Sequence, residues 1–261
     1  MLKKTIVITG ANGGLGQALA KFFASRGNKV ILLGRRLDRV RAIAETIGPE
    51  AIAIACDVAL PDSVRAAFDE IARRCEKIDV LINNAAIFRP LLIEDASDTD
   101  VVETISTNLI GPILCTKASL PLLRRGGQII NISSESIEEA FPHLTLYQAS
   151  KGGLEIFSRH LKRELATRGI RVAVIRAGQM VGPGTSAEMS PEAGQRFFSA
   201  AMENGLNLVT RGNAQYQSTL DIFGLVLELP ADVDIGTISF HGRPKDDDGD
   251  SYAKAEGHVP E

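Results

Sequence analysis

The sequence predicts an α/β fold in which a doubly wound parallel sheet of seven strands carries helices on both faces, giving three αβα layers. Seven short apolar runs rich in β-branched residues alternate with amphipathic stretches of helical length. The runs are apolar throughout rather than at every second residue, as expected for strands that helices cover on both sides. A glycine-rich turn follows the first run directly, where a βαβ unit begins.

The predicted elements follow one another without a seam. The strands are predicted at residues 4–9, 29–33, 51–55, 79–82, 128–132, 171–175 and 236–240. The helices are predicted at residues 15–25, 37–47, 62–75, 100–123, 147–168 and 217–229. We therefore expect one domain over residues 1–242.

Two segments break this alternation. Residues 178–217 contain no predicted strand and carry an amphipathic piece at 191–202, so they are expected to form a substrate lid inserted in the domain. Residues 243–261 include four aspartates between 246 and 250 and are expected to form a flexible acidic tail.

Composition excludes several classes of partner. With 29 Lys+Arg against 32 Asp+Glu, the formal net charge is −3, which disfavours a surface for nucleic acid or for anionic membranes. The 3 cysteines and 4 histidines lack ligand spacing, so no metal is expected. No apolar run approaches the length of a membrane span or of a signal-peptide core. The sequence therefore predicts a soluble, cytoplasmic protein that binds small molecules.

The glycine-rich turn indicates a phosphate ligand. It comprises residues 9–16, in which Gly10, Gly14 and Gly16 are accompanied by Asn12 and Leu15. Glycines let the backbone turn sharply and approach a phosphate, while the helix that follows offers unpaired N–H groups. In this position after the first strand, the turn is typical of a Rossmann-type dinucleotide site.

The end of the second predicted strand indicates which dinucleotide is bound. An NAD site places a carboxylate there to accept from the ribose 2′-hydroxyl, whereas this chain has Arg35 and Arg36. A guanidinium can pair with a 2′-phosphate, so we predict NADP(H), with Arg35 as the main contact. The alternative is that both arginines simply begin a solvated helix together with Asp38, Arg39 and Arg41.

A second group of residues could move a proton. Tyr147 and Lys151 lie four apart on one predicted helix and so share a face. An adjacent ammonium favours phenolate, and so would lower the Tyr147 pKa. The strand at 128–132 leads into Ser133 and Ser134, at the sheet edge where ligands bind in such folds.

These features together resemble the short-chain dehydrogenase/reductase family, in its compact one-domain, NADP-preferring branch. The resemblance covers about residues 4–240 and depends on the order and spacing of the glycine turn, Asp57, Val58, residues 83–86, Asn108, Ser134, Tyr147 and Lys151. It implies NADP(H)-dependent interconversion of an alcohol and a carbonyl on a small substrate.

The resemblance also implies roles for the proton-moving residues. Tyr147 would be the general acid/base, and Ser134 would hold the substrate oxygen. Lys151 would bind the nicotinamide ribose and depress the Tyr147 pKa, and Asn108 would hold a water linking Lys151 to solvent. Ser133 could equally provide the catalytic hydroxyl, and Asn108 could simply bond within its helix.

The cofactor contacts implied by the resemblance extend along the sheet edge. Asp57 and Val58 would contact adenine, and Asn84 and Ala85 would line the groove, whereas Asn83 is expected to bridge strands. The nicotinamide half of the cofactor would be contacted by Tyr147, Lys151, Gly178 and Met180.

The chain departs from the family pattern at three positions near the nicotinamide. Ala86 and Ala177 stand where Gly and Pro are usual, and Gly182 replaces a common threonine that contacts the carboxamide. The orientation of the nicotinamide would then depend on the backbone near Met180 or on Thr185.

The substrate pocket is expected between the loop after Ser134 and the lid. Glu135, Glu138 and Glu139 would favour a polar or amine-bearing substrate, or would be merely solvated. Apolar residues give the lid an apolar face: Met180, Met189, Phe197, Phe198 and Met202.

Two further expectations concern function and assembly. The alternative to an enzyme is a non-catalytic NADP(H) sensor on the same fold, which would have no need for a proton relay. The long predicted helices should expose Leu154, Ile156, Phe157 and Leu161, which favours a homo-oligomer, either a dimer or a tetramer.

Overall fold

The computed structural model describes residues 3–183, 190–230 and 232–244. Its strands are β1 Thr5–Thr9, β2 Lys29–Gly34, β3 Ala51–Ala55, β4 Ile78–Asn83, β5 Leu123–Ser134, β6 Arg171–Ala177, β7 Met180–Val181, β8 Ala214–Gln215 and β9 Thr237–Phe240. Its helices are α1 Gly14–Ser25, α2 Leu37–Ile47, α3 Pro61–Arg74, α4 Asp98–Ile105, α5 Gly111–Ser119, α6 Thr145–Leu165, α7 Pro191–Glu203 and α8 Tyr216–Glu228.

Seven strands form one parallel sheet in the order β3-β2-β1-β4-β5-β6-β9, which confirms the predicted doubly wound fold. The chain reverses its direction of winding between β1 and β4, so a crevice opens where these two neighbours end. The crevice lies at the carboxyl edge of the sheet. Every predicted site segment that follows β1, β2, β4, β5 or β6 therefore reaches this same edge.

Both faces of the sheet are buried. In β1, Ile6 and Ile8 contribute to one apolar cluster and Val7 to the other, because successive side chains of a strand point to opposite faces. Helices α1, α2 and α8 cover the first face, with Phe23 and Phe223 among its fully buried residues. Helices α3, α5 and α6 cover the second. This double burial explains the continuous apolar runs.

The single helix predicted at 100–123 is wrong. The chain forms α4, a π-helical turn at Ser106–Ile110 and then α5. Ser97 and Asp100 form a reciprocal capping box, which starts α4 two residues early. Pro112 lacks the N–H that would bond the Asn108 carbonyl, and Pro121 disfavours helix at the preceding residue. The remaining residues up to 123 therefore leave the helix, and Leu123 begins β5.

The predicted lid also needs correction. It was expected to contain no strand, but β7 and β8 pair in parallel as a separate two-stranded sheet. Helix α7 confirms the amphipathic piece predicted at 191–202. Thr185 and Met189, which were predicted to contribute to the nicotinamide site and to the lid, lie outside the described residues. Residues 245–261 of the predicted tail also lie outside them.

The apolar residues of α6 divide between core and surface. Leu154 and Leu161 are buried beneath the helix, contrary to the expectation that they would be exposed, whereas Ile156 is 49% exposed. Exposed apolar residues on the neighbouring segments are Val102 and Ile110. A homo-oligomer through these helices stays a prediction. Within the described ranges, no helix combines the length and apolar character needed to cross a bilayer.

Removing a large side chain from the first core face should destabilise the fold strongly. Phe223 is fully buried, and its ring centroid lies 6.3 Å from that of Phe240. We expect Phe223→Ala to lower the free energy of unfolding by about 3–5 kcal/mol. Leu225→Ala is the control on the same helix, because Leu225 is 58% exposed. Urea unfolding measures both; equal midpoints for the two variants would contradict the core assignment.

Candidate active site

The glycine turn has the close backbone packing that a phosphate site needs. Gly10 has a φ of +66°, and a Cβ there would lie 2.7 Å from the Cα of Ala85. Asn84 Nδ2 donates to the carbonyls of Thr9 (2.9 Å) and Gly10 (3.3 Å), and Thr9 Oγ1 accepts from the Asn84 and Ala85 amides. Asn84 and Ala85 thus brace the turn.

The start of α1 leaves its backbone donors available. The residue before the helix, Gly13, has no side chain to cap it, and the first turn holds no acidic residue. Gly14 and Gly16 fall in that turn, whereas Leu15 packs into the core and contributes only its backbone. Unpaired N–H groups and the helix dipole together favour an anion at this point.

Arg35 and Arg36 stand exposed at the end of β2, beside the glycine turn. The turn and the strand are joined because the Ala11 amide donates to the Leu33 carbonyl at 3.0 Å, and Asn12 lies against Gly34. In the described part of the chain, neither arginine forms an ion pair. Both guanidinium groups are therefore free to meet a phosphate.

The segment after β3 is arranged by its own hydrogen bonds. Asp57 Oδ1 accepts from the Ala59 amide at 3.0 Å, and the Asp57 amide donates to Ser63 Oγ at 2.9 Å. Val58 is buried, with its side chain against Gly111 at the start of α5. Of this predicted adenine-contacting pair, Asp57 is the more accessible.

The structure brings Ser134 and Tyr147 together. Ser134 ends β5, Tyr147 lies in the first turn of α6, and the Ser134 hydroxyl lies close enough to the Tyr147 hydroxyl to counter the rise of the Tyr147 pKa. Ser134 Oγ also accepts from the Ser136 amide at 3.2 Å. Ser133 is buried without a partner for its hydroxyl. This contact favours Ser134 over Ser133 as the hydroxyl that accompanies Tyr147.

Lys151 lies one helical turn below Tyr147. Its Nζ donates to the Ile132 carbonyl at 2.7 Å and lies 5.7 Å from the centre of the Tyr147 ring. Lys151 is 3% exposed, so its ammonium depends on this carbonyl for hydrogen bonding. Tyr147 and Lys151 share one face of α6, as predicted, and the Lys151 amine is hydrogen-bonded to β5.

Asn108 connects the π-helical turn to two other elements. Its Oδ1 accepts from the Ile87 amide at 2.7 Å, while its Nδ2 donates to the Ile87 carbonyl and to Ser150 Oγ. The side chain is fully buried. It therefore fixes the loop after β4 against α6 next to Lys151, and the Asn108 carbonyl cannot accept from residue 112, because Pro112 has no N–H.

The pKa shifts differ from the expected ones. Burial raises the pKa of Tyr147 to about 12, and the hydrogen bond with Ser134 opposes this rise. Burial lowers the pKa of Lys151 to about 8. Burial is the largest influence on the Tyr147 pKa, and a lowering of that pKa by Lys151 stays a prediction.

The segment predicted to hold the nicotinamide has tight packing where the family pattern has a threonine. A Cβ at Gly182 would overlap the Tyr216 ring, so the residue that replaces the usual threonine has no room for a side chain. The Gly178 amide donates to the Phe240 carbonyl at 2.8 Å, and Met180 Sδ accepts from Thr219 Oγ1. The Met180 side chain thus faces α8, while its strand β7 pairs with β8.

An aromatic contact was missed in the sequence. The Phe88 ring packs edge-on against Tyr147, at 5.1 Å between centroids, and against Phe197 of α7, at 6.4 Å. Phe88 is 39% exposed. The position of Phe88 in the loop after β4, at the carboxyl edge of the sheet, is the feature of the sequence that could have indicated this contact. Phe198 and Met202, assigned to the same apolar lid face, are largely exposed.

The three glutamates after Ser134 are each ion-paired with an arginine; Glu138 and Glu139 are also solvated, with side chains 51% and 43% exposed, whereas Glu135 is largely buried. Glu138 pairs with Arg176, which also forms two hydrogen bonds with Glu155 of α6. Glu135 and Glu139 both pair with Arg211. No local pattern in the sequence marks Arg211 as a site residue.

Comparison with known proteins identifies the family. A model of the family described as short chain dehydrogenase matches residues 4–193, and the chain belongs to this family of oxidoreductases. This confirms the resemblance found in the sequence.

Individual relatives agree with that assignment. Carbonyl reductase family member 4 of Danio rerio is 32% identical over 197 residues, covering 75% of this chain and 83% of the relative. A short chain dehydrogenase of Burkholderia cenocepacia in complex with NADP has a TM-score of 0.78 at 26% identity, covering 92% of this chain and 97% of that one. An alcohol dehydrogenase of Thermococcus sibiricus complexed with 5-hydroxy-NADP has a TM-score of 0.78 at 25% identity, covering 94% and 100%.

The buried ammonium of Lys151 should make stability depend on pH. Between about pH 8 and its ordinary pKa of 10.5, the unfolded chain holds a proton at Lys151 that the folded chain has released. The free energy of unfolding should therefore rise with pH over this range. Relative to Lys151→Met, the wild type should gain on the order of 2 kcal/mol between pH 7 and pH 10. Urea titrations at both pH values test this, and a constant difference would refute it.

Proposed function

We propose that this protein is an NADP(H)-dependent oxidoreductase that interconverts a secondary alcohol and a carbonyl on a small substrate. The observation that carries the proposal is the approach of the Tyr147 and Ser134 hydroxyls to each other at the sheet edge that also holds the glycine turn. One group positions a carbonyl oxygen and the other exchanges a proton with it. The nicotinamide, when bound, would supply or accept the hydride.

The residues present fit the cofactor. The backbone at Gly10 packs so closely on Ala85 that a side chain would fill the cradle, and the N-terminus of α1 offers free donors. Arg35 and Arg36, exposed at the end of β2, would bind the 2′-phosphate. The NADP and 5-hydroxy-NADP complexes of structural neighbours support this choice.

Tyr147 would act as general acid in carbonyl reduction. With a pKa of about 12, its phenol holds its proton at neutral pH, which is the state a proton donor needs. Ser134 would donate a second hydrogen bond to the same oxygen as negative charge develops there. Alcohol oxidation would need the phenolate instead, as the proton acceptor.

Lys151 and Asn108 would complete the proton path. Lys151 has a pKa of about 8 and is mostly an ammonium at neutral pH, one turn from Tyr147. Its amine would bind the nicotinamide ribose, and a water on the Asn108 carbonyl, which Pro112 leaves without its usual donor, would connect it to solvent. The amide side chain of Asn108 holds this carbonyl in place through Ile87 and Ser150.

The substrate is proposed to carry an apolar group beside its carbonyl. Phe88 forms an apolar wall next to Tyr147, and α7 adds Phe197. The glutamates after Ser134 are neutralised by arginines, so they offer no free carboxylate to an amine. Residues 178–217 would serve as the lid over this pocket.

A binding-only sensor on the same fold is the competing hypothesis. Such a protein needs the glycine turn and Arg35, but it has no use for a buried phenol placed beside a serine hydroxyl and one helical turn from a buried lysine. Burying Lys151 is costly to stability, and this cost favours a catalytic role.

Replacing the proposed acid should separate chemistry from binding. Tyr147→Phe keeps the ring and its packing on Phe88 but removes the hydroxyl. We expect kcat for carbonyl reduction with NADPH to fall about 10²–10⁴-fold while the NADPH dissociation constant stays nearly unchanged. Stopped-flow turnover and fluorescence titration measure the two quantities. Undiminished turnover would exclude Tyr147 as the acid and revive the sensor hypothesis.

Charge reversal at Arg35 should change the cofactor preference. Arg35→Asp places a carboxylate where the 2′-phosphate would bind, so the NADPH/NADH ratio of kcat/KM should fall by about tenfold to a hundredfold. Arg41→Asp makes the same charge change on exposed α2 and should leave the ratio near that of wild type. Equal ratios for the two variants would count against a role for Arg35.

A further inference from the structure

Arg211 joins the lid segment to the loop that follows Ser134. Its Nη2 lies 3.2 Å from Glu135 Oε2, its Nη1 contacts Glu139, and its guanidinium carbon lies 4.9 Å from the centre of the Phe141 ring. The side chains of Arg211 and Glu135 are 21% and 11% exposed. This is a largely desolvated fork contact with two carboxylates and an aromatic face, well beyond an ordinary surface ion pair.

The second oxygen of Glu135 extends this contact to the nicotinamide end. Glu135 Oε1 accepts from the Gln179 amide at 3.1 Å, and the Gln179 carbonyl accepts from the Ala214 amide at 3.0 Å. Ala214 lies only three residues after Arg211. The contacts therefore close a ring, here called the Arg211 clasp, that runs through Arg211, Glu135, Gln179 and Ala214.

The clasp borders the site on two sides. Glu135 follows Ser134 directly, and Gln179 lies between Gly178 and Met180, the two residues assigned to the nicotinamide. Gly182 has no room for the side chain that orients the carboxamide in the family pattern. With that side chain missing, the orientation of the 178–180 backbone depends on the groups that bond the Gln179 peptide.

We propose that Arg211 is a positioning residue that, through Glu135, fixes the Gln179 peptide and so orients the nicotinamide half of the cofactor. The proposal deepens the proposed function and rests on it. Arginine suits this role because its two Nη groups reach two carboxylates at once. Without it, Glu135 would be a largely buried and unpaired carboxylate, and would have to move towards water, taking the Gln179 bond with it.

The clasp is tested first without any cofactor, by hydrogen–deuterium exchange of the segment 176–183. Arg211→Gln and Glu135→Ala should each speed exchange of the Gln179 amide. Glu135→Gln keeps an acceptor oxygen and should have a smaller effect. Arg26→Gln is the matched control, because Arg26 also pairs with two carboxylates, Asp221 and Glu228, and stacks on Phe22. Unchanged exchange in Arg211→Gln would overturn the clasp.

The positioning role is tested by separating the two halves of the cofactor. In Arg211→Gln, kcat for carbonyl reduction should fall about tenfold or more, because a misoriented reactant loses rate steeply. The affinity for adenosine 2′,5′-bisphosphate, which lacks the nicotinamide, should stay within about twofold of wild type, since the clasp is remote from Arg35. Arg211→Lys keeps the charge without the fork and should be intermediate. Arg26→Gln should match wild type in both quantities.

The outcomes distinguish this proposal from the proposed function. A parallel loss of kcat and of bisphosphate affinity in Arg211→Gln would indicate general destabilisation and overturn the positioning role. An unchanged kcat would do the same. If the wild type neither reduces any carbonyl nor binds the bisphosphate, the proposed function fails and the orienting role fails with it. The exchange measurement would still decide whether the clasp holds Gln179.

Discussion

Burial of both faces of the parallel sheet is the constraint on which the rest of this structure depends. Because Ile6, Val7 and Ile8 are all inaccessible, polar groups that act on a ligand must lie beyond the strand ends. The doubly wound order brings those ends to one edge and opens a crevice between β1 and β4. The glycine turn and the Tyr147–Ser134 pair therefore reach the same edge of the sheet, although Tyr147 lies 138 positions after Thr9 in the sequence.

Buried amides within this apolar frame determine how α6 lies on the sheet. Asn83 donates to Asn131 at 2.8 Å, and Asn131 donates to Ser158 Oγ at 2.8 Å, which ties two strands to the helix. The first of these bonds confirms that Asn83 bridges strands. Asn108 fixes the same helix at Ser150. Hydrogen bonds are directional, whereas apolar packing tolerates rotation, so these two attachments on either side of Lys151 hold the phenol towards Ser134.

The sequence was informative wherever local pattern decides structure. Continuous apolar runs predicted all seven strands of the main sheet, and the glycine turn and the end of β5 were placed correctly. The strands β7 and β8 were missed because two residues carry no periodicity. The π-helical turn depends on one proline inside an otherwise helical pattern. Arg211 and Glu135 lie 76 residues apart, so no local spacing predicts their ion pair. The upward shift of the Tyr147 pKa follows from burial in the folded chain, which local spacing does not predict either.

The contact between Gly182 and Tyr216 has a consequence for the history of this chain. Tyr216 begins α8, is buried, and occupies the space into which any side chain at 182 would project. A threonine could enter position 182 only if residue 216 became small first, and a small residue at 216 would leave a cavity until the threonine arrived. Neither single step is neutral. The two positions are therefore expected to co-vary among relatives, with a side chain at position 182 found only where residue 216 is small.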